Sequence, residues 1–83
     1  MKHTIELHTG VADYTVSIYS ERYTSRSRPV YSWFISLDGR SFASSMAFTY
    51  DLNESLASLR SYVHDHFGSL VASQLSTEFP EGF

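Results

Sequence analysis

Residues 31–50 read YSWFISLDGRSFASSMAFTY, and this stretch decides the fold. Strand-forming residues fill 31–37, and apolar and polar residues alternate again over 40–50. Between them stands Asp38-Gly39, which favours a two-residue type I′ turn because both central residues of that turn need positive φ. The sequence therefore predicts a β-hairpin with strands at about 30–37 and 40–50.

The turn also fixes the expected pairing of the two strands. If Leu37 lies opposite Arg40 and the register continues without interruption, Tyr31 lies opposite Met46. One face then collects the large apolar side chains, namely Tyr31, Trp33, Ile35, Leu37, Phe42, Met46, Phe48 and Tyr50. A slip of one residue would mix the two faces, so the apolar pattern and the turn predict the same register.

Two further strands are predicted before the hairpin. Residues 2–8 alternate, with Ile5 and Leu7 on one face, and residues 14–21 alternate with Val16 and Ile18 on one face. Short connections favour pairing between neighbours in sequence. The four strands are therefore expected to form an antiparallel meander.

A helix is predicted over about 52–67. Asp51 and Glu54 form a capping-box pattern at its start. Apolar residues then recur at spacings of three and four, at Leu52, Leu56, Leu59, Val63, Phe67 and Leu70. Residues 69–75 could form a second short helix or continue the first, and the tail 76–83 is expected to be irregular. The predicted fold is α+β, with the long helix packed on one face of the sheet.

Length and composition bound the classes of function. The chain has 83 residues, a formal net charge of −3 and no cysteine, which predicts one domain over 1–83 and excludes disulfides and thiolate metal sites. No run approaches the roughly 20 apolar residues of a membrane span. Residues 1–10 lack the apolar region of a signal peptide. We therefore expect a cytoplasmic protein that does not bind membranes.

No motif in the sequence indicates catalysis. His64 and His66 would point about 200° apart on a regular helix and could not share one metal ion. No serine lies in a Gly-x-Ser-x-Gly motif, and the four glycines form no phosphate-binding loop. The sequence predicts neither an enzyme, a cofactor nor a metal site.

The sheet face away from the helix is the first candidate binding surface. It carries small residues around Val30 and Phe34, and no second long helix is available to cover it. Such a face could lie against a protein partner, with Val30 and Phe34 as apolar anchors. The alternative is an ordinary solvated face of an antiparallel sheet.

The connection at 22–28 is the second candidate. It holds half of the basic residues of the chain together with one tyrosine, namely Arg22, Tyr23, Arg26 and Arg28. Arginine suits carboxylates and phosphates, and an interleaved aromatic residue suits single-stranded nucleic acid. The same residues could equally meet an acidic patch on a protein, or serve only as a solvated loop.

Three resemblances give these surfaces possible roles. A three-stranded sheet followed by one helix, over residues 14–67, resembles the arm-type DNA-binding domain of phage integrases and the related AP2 domain, which implies nucleic-acid binding. The hairpin-then-helix layout is similar to HicB-type antitoxins, which implies a small regulatory protein. In size, charge, lack of catalytic motifs and α+β design, the whole chain resembles small phage-encoded anti-CRISPR inhibitors.

The last resemblance provides the leading hypothesis. It implies a non-enzymatic module in the cytoplasm of a host bacterium, which binds a CRISPR effector complex and blocks access of target DNA or nuclease. A protein partner ranks above nucleic acid because the exposed face of the predicted hairpin holds no arginine or lysine at Ser32, Phe34, Ser36, Ser41, Ala43 or Ser45. The sequence leaves open whether the protein is a monomer or a homodimer.

Overall fold

The computed structural model describes residues 1–22, 28–75, 79 and 83. It has one antiparallel sheet of order β1-β2-β3-β4, followed by a long helix and a short one. The elements are β1 (Lys2–His8), β2 (Asp13–Glu21), β3 (Val30–Leu37), β4 (Arg40–Ser44), α1 (Leu52–Phe67) and α2 (Ser69–Ala72). The predicted α+β class, with a four-stranded meander and a long C-terminal helix, is confirmed.

The first three strands pair without interruption. Val16 of β2 lies between Ile5 of β1 and Ile35 of β3, and the next row places Ile18 beside Trp33. Directly opposed residues share a face, so these rows build one apolar surface. We call it the helix side of the sheet, because the buried residues Leu59 and Val63 of α1 belong to the same core.

The turn forms as predicted, but the strand register after it differs from the predicted one. Asp38 and Gly39 have φ values of 52° and 78°, and Leu37 pairs with Arg40. A β-bulge then makes Phe42 an extra residue, because Ser36 pairs with Ser41 while Ile35 pairs with Ala43. The predicted strand therefore begins where expected, but its predicted end at residue 50 is wrong, since β4 ends at Ser44.

The bulge changes which side chains reach the core. Ala43 packs against the core, whereas Phe42 is 43% exposed and contacts the rings of Tyr14 and Phe67 at 5.0 and 5.8 Å between centroids. A one-residue insertion transfers every later side chain to the opposite face. Met46 and Phe48, predicted in the core, are fully exposed and 63% exposed.

The helix begins where the sequence predicts. The Asp51 carboxylate accepts a hydrogen bond from the backbone N–H of Asn53 at 2.9 Å and so caps the first turn. Gly68, with φ of 91°, separates α1 from α2 and changes the phase of the apolar stripe. As a result Leu70 is 84% exposed, contrary to prediction, while Val71 is buried.

Aromatic residues of the tail complete the helix side. The ring of Phe79 lies 5.1 Å from that of His3, and the ring of the buried Phe83 lies 5.2 Å from that of Phe79. The Ser20 hydroxyl donates a hydrogen bond to the backbone oxygen of Phe83 at 2.6 Å. The core therefore extends past the helix towards the first residues of β1.

Candidate functional site

The sheet surface opposite α1, which we call the outer face, is the candidate site. Both helices contribute to the core on the helix side. The outer face receives the alternate strand positions, among them Thr4, Ser17, Tyr19, Ser32, Phe34 and Ser44. It is therefore the surface on which the sequence predicts a partner.

The two predicted anchors of this face differ in accessibility. Val30 is only 6% exposed, so little of its side chain is accessible to a partner, and its assignment as an anchor stays a prediction. It starts an inner strand, flanked by Glu21 of β2 on one side and by the chain beyond Thr49 on the other. Phe34, with a longer side chain, is half-buried and lines a groove.

The groove on the outer face has a volume of about 440 Å³. Its apolar walls come from Tyr19 and Phe34 on the sheet and from Met46 and Phe48 beyond β4. Polar or small groups complete the lining, namely Glu21, Ser32, Ser44, Ser45 and Ala47, together with part of Trp33. Such a mixture of aromatic walls and a few polar groups is typical of recognition sites.

An irregular segment after β4 creates one wall of this groove. Ser45 remains bound to β3, since its N–H donates to the carbonyl of Trp33 at 2.9 Å. Thr49 returns to β3 and exchanges two backbone hydrogen bonds with Tyr31, at 2.7 and 3.0 Å. Between these two anchors residues 46–48 leave the sheet, and we call them the 46–48 arch.

Exposure of the arch has an energetic consequence. Met46 and Phe48 are large apolar side chains that the alternation of the sequence could have placed in the core, yet both face solvent. Moving a side chain of this kind from full exposure to full burial contributes roughly 1.5–3 kcal/mol to the free energy of unfolding. Contiguous exposed apolar groups on a small domain are typical of interaction sites. The arch is therefore the part of the site that sequence reasoning missed.

The arginine segment is described only at its two ends. Arg22 and Arg28 are exposed, while Tyr23 and Arg26 lie outside the described residues. The Arg28 guanidinium carbon lies 5.0 Å from the ring centroid of Tyr50, within cation–π distance. This contact holds a positive charge beside the chain that leaves the arch.

A second cavity lies between the arch and the helix. It has a volume of about 630 Å³ and lies beside Trp33, with walls from Ser44, Ser45, Met46, Ala47, Thr49, Ser55, Ser58, Ser61, Tyr62, Asp65 and His66. The rings of Tyr62 and His66 stack at 4.0 Å. Trp33 is 4% exposed, and its Nε1 is the one buried side-chain nitrogen or oxygen in the described part of the chain that has no hydrogen-bond partner.

The histidines do not converge. His64 Nδ1 lies 3.7 Å from the Asp65 carboxylate, and His66 Nδ1 lies 3.1 Å from the carbonyl oxygen of Tyr62. His8 Nδ1 lies 2.9 Å from the Asp13 carboxylate, and this hydrogen bond with its charge raises the pKa of His8 above 6.5. Over residues 1–22, 28–75, 79 and 83, no three His, Asp or Glu side chains form a group able to hold a metal ion.

Comparisons with known proteins provide no family for the chain. No protein-family model, no curated protein and no solved structure matches it. In the described part of the chain, no helix has the length and apolar character needed to cross a membrane. The geometry of the outer face is therefore the basis on which a function can be proposed.

Proposed function

We propose that the chain is a non-enzymatic protein-binding module that uses the groove on its outer face. The main support for this proposal is the exposure of the apolar side chains of the 46–48 arch. Met46 and Phe48 stand beside the half-buried ring of Phe34, and together they offer an apolar surface with serine residues at its rim. Interfaces between proteins combine a hydrophobic centre with a polar rim in the same way.

The groove suits an apolar side chain of the partner. An aromatic or large aliphatic residue could insert between Phe34 and Phe48 and exclude water from both rings. Met46 would adapt to the shape of that residue, because its thioether chain is flexible and polarizable. The guanidinium of Arg28 would meet an acidic group of the partner beyond the arch.

The finer proposal concerns what such binding achieves. With no catalytic motif in the sequence, the chain would act by occupying a surface that another molecule needs. An inhibitor of the anti-CRISPR type works in this manner, by steric occlusion on a CRISPR effector complex. This assignment rests on the resemblance of the sequence in size, charge and layout, and it stays a proposal.

The proposal is tested by a matched pair of substitutions. Met46→Asp places a charge in the apolar wall of the groove, whereas Leu70→Asp does the same at an exposed apolar side chain on α2. Both positions are exposed, so we expect each change to alter the free energy of unfolding by less than about 0.5 kcal/mol. Proteins retained from a cell extract by the native chain should also be retained by Leu70→Asp and lost with Met46→Asp, as measured by quantitative mass spectrometry.

Two outcomes would contradict the proposal. If Met46→Asp retained the same proteins as the native chain, the groove would not be part of the binding surface. Circular dichroism verifies that both variants are folded.

For the inhibitor class, the measurement is the survival of a CRISPR-targeted plasmid in cells that express the chain. Survival should rise with the native chain and with Leu70→Asp but not with Met46→Asp, and no rise with the native chain excludes inhibition of the system tested.

A further inference from the structure

Strand β1 forms one edge of the sheet, and its backbone groups alternate in direction. Met1 and Ser20 exchange backbone hydrogen bonds, so the next residues bonded to β2 are His3, Ile5 and Leu7. The N–H and C=O groups of the even-numbered residues, Lys2, Thr4, Glu6 and His8, therefore point away from the sheet.

Gln74 closes one end of this edge. The backbone N–H of His8 donates to Gln74 Oε1, and Gln74 Nε2 donates to the carbonyl oxygen of His8, both at 2.8 Å. The side-chain amide thus takes the place of a neighbouring strand at His8. Among the described residues, no strand lies beside the outward groups of Lys2, Thr4 and Glu6.

We propose that β1 pairs with β1 of a second copy of the chain, antiparallel and with Thr4 opposite Thr4. This register brings Lys2 opposite Glu6 of the second copy, and Glu6 opposite its Lys2. Each of these facing pairs has its N–H and C=O groups directed across the new interface, so each exchanges two hydrogen bonds. The pairing ends before His8, where Gln74 already occupies the backbone.

Charge selects this arrangement from the alternatives. Lys2, Thr4 and Glu6 are exposed on the outer face, with charge order positive, neutral and negative. Opposite charges directly across an antiparallel pair stabilise it, and like charges destabilise it. Parallel pairing in register would place Lys2 beside Lys2 and Glu6 beside Glu6. Exposed edge strands normally carry charges that discourage pairing, but this order is complementary to itself.

The proposed dimer has a geometric consequence that is independent of the proposed function. Because directly opposed residues share a face, the outer faces of both copies lie on the same side of one eight-stranded sheet. The two grooves then lie towards opposite ends of that sheet, since each is built on β3 and the chain after β4. A partner with two equivalent sites could engage both copies at once.

Sedimentation velocity on the untagged chain tests the proposal, over concentrations from about 10 μM to about 1 mM, the range expected for an interface of this small size. The native chain should convert from monomer to dimer within this range. Lys2→Glu and Glu6→Lys each place like charges opposite one another at both ends, and each should weaken the dimer about tenfold or more.

Charge exchange provides the matched control. An equimolar mixture of Lys2→Glu and Glu6→Lys restores opposite charges across the strand, so the mixture should dimerise at concentrations where each variant alone is mostly monomeric. Thr4→Pro removes one outward N–H, a change that an edge strand tolerates, and it should abolish the dimer without loss of the circular dichroism of the fold.

Three results would overturn the proposal. These are a monomer at every concentration, a dimer that Lys2→Glu and Thr4→Pro leave unchanged, and a mixture of charge variants that fails to dimerise. The second result would place self-association elsewhere, for example on the apolar groove. If the chain stays monomeric while an extended segment of another protein adds to β1, the edge serves a different partner and the inference of self-pairing is wrong.

Discussion

The two halves of the sheet differ in regularity. From β1 to β3 the strands pair in a single uninterrupted register, and each row places apolar residues of neighbouring strands together on the helix side. From β3 onward the pairing gains residues, so that Tyr31 meets Thr49 where a continuous register would have brought Met46. The regular half builds the core, and the irregular half builds the exposed groove.

This difference indicates that the residues that stabilise the fold and the residues available to a partner lie in different halves of the sheet. Ile18 and Ile35, at the centre of the regular half, are fully buried, and their loss would leave cavities. Met46 and Phe48 lie outside the ladder and contact mostly solvent. Bulges are common beside functional sites because they redirect side chains without breaking the sheet. The comparison predicts that substitutions in the two halves will have different kinds of effect.

The largest expected effect comes from the regular half. Ile35→Ala removes a fully buried side chain that faces Val16 and Ala43, and it should lower the free energy of unfolding by about 2–5 kcal/mol. Urea unfolding at constant pH measures this change. The matched change in the irregular half, Phe48→Ala, should alter the same free energy by less than about 0.5 kcal/mol. Equal losses for the two variants would contradict the separation.

A smaller effect is expected at the turn from which both strands of the hairpin start. Gly39 has φ of 78°, which a β-branched residue adopts only with strain, so Gly39→Val should cost about 1–3 kcal/mol in the free energy of unfolding. Arg40→Val is the control, because Arg40 is exposed and lies in the strand. Thermal and urea unfolding should show Gly39→Val to be clearly less stable than Arg40→Val, and the reverse order would show that the positive φ at residue 39 does not limit which residues the turn accepts.

The smallest effect is expected at the far end of the regular half, where His8 pairs with Asp13. The hydrogen bond that the His8 ring donates to the Asp13 carboxylate, together with the charge of that carboxylate, raises the pKa of His8 above 6.5 in the folded chain. A raised folded pKa means that the protonated ring stabilises the fold. The stabilisation is fully present below the unfolded pKa near 6.5 and is lost as the pH rises through the folded value.

Nuclear magnetic resonance titration of the His8 ring measures this pKa directly. The midpoint should lie above 6.5 in the native chain and return towards the ordinary value in Asp13→Asn. Stability measured across the same pH interval should decline slightly in the native chain, and that decline should be smaller in Asp13→Asn. A native midpoint below 6.5 would show that the contact does not favour the charged ring.

Much of the fold could be predicted because local signals and tertiary packing coincide. The alternation around Val16 and Ile18, the Asp38-Gly39 turn and the Asp51 cap each indicate one local conformation, and the structure adopts each of them. Their agreement is what makes a sequence specify its architecture. The position of the candidate face on the side away from α1 followed from the same logic.

The details of the site could not be predicted because its signals are long-range. Residues 40–50 alternate well enough for one continuous strand, and no glycine or proline marks the bulge at Phe42. In the folded chain Phe42 packs against the rings of Tyr14 and Phe67, which are distant from it in sequence. The burial of Val30 and the unpaired indole N–H of Trp33 are likewise properties of the folded chain that no local sequence pattern indicates.

The two hydrogen bonds that clamp the side-chain amide of Gln74 onto the backbone of His8 have a consequence for the order of events during translation. The first strand leaves the ribosome early, and its pairing with the second needs only nearby residues. The clamp joins residues 66 apart in sequence and forms only after the chain beyond the long helix has been synthesised. Until then a nascent chain presents the whole edge of its first strand to other polypeptides, so the proposed pairing of two copies would be able to start between neighbouring ribosomes.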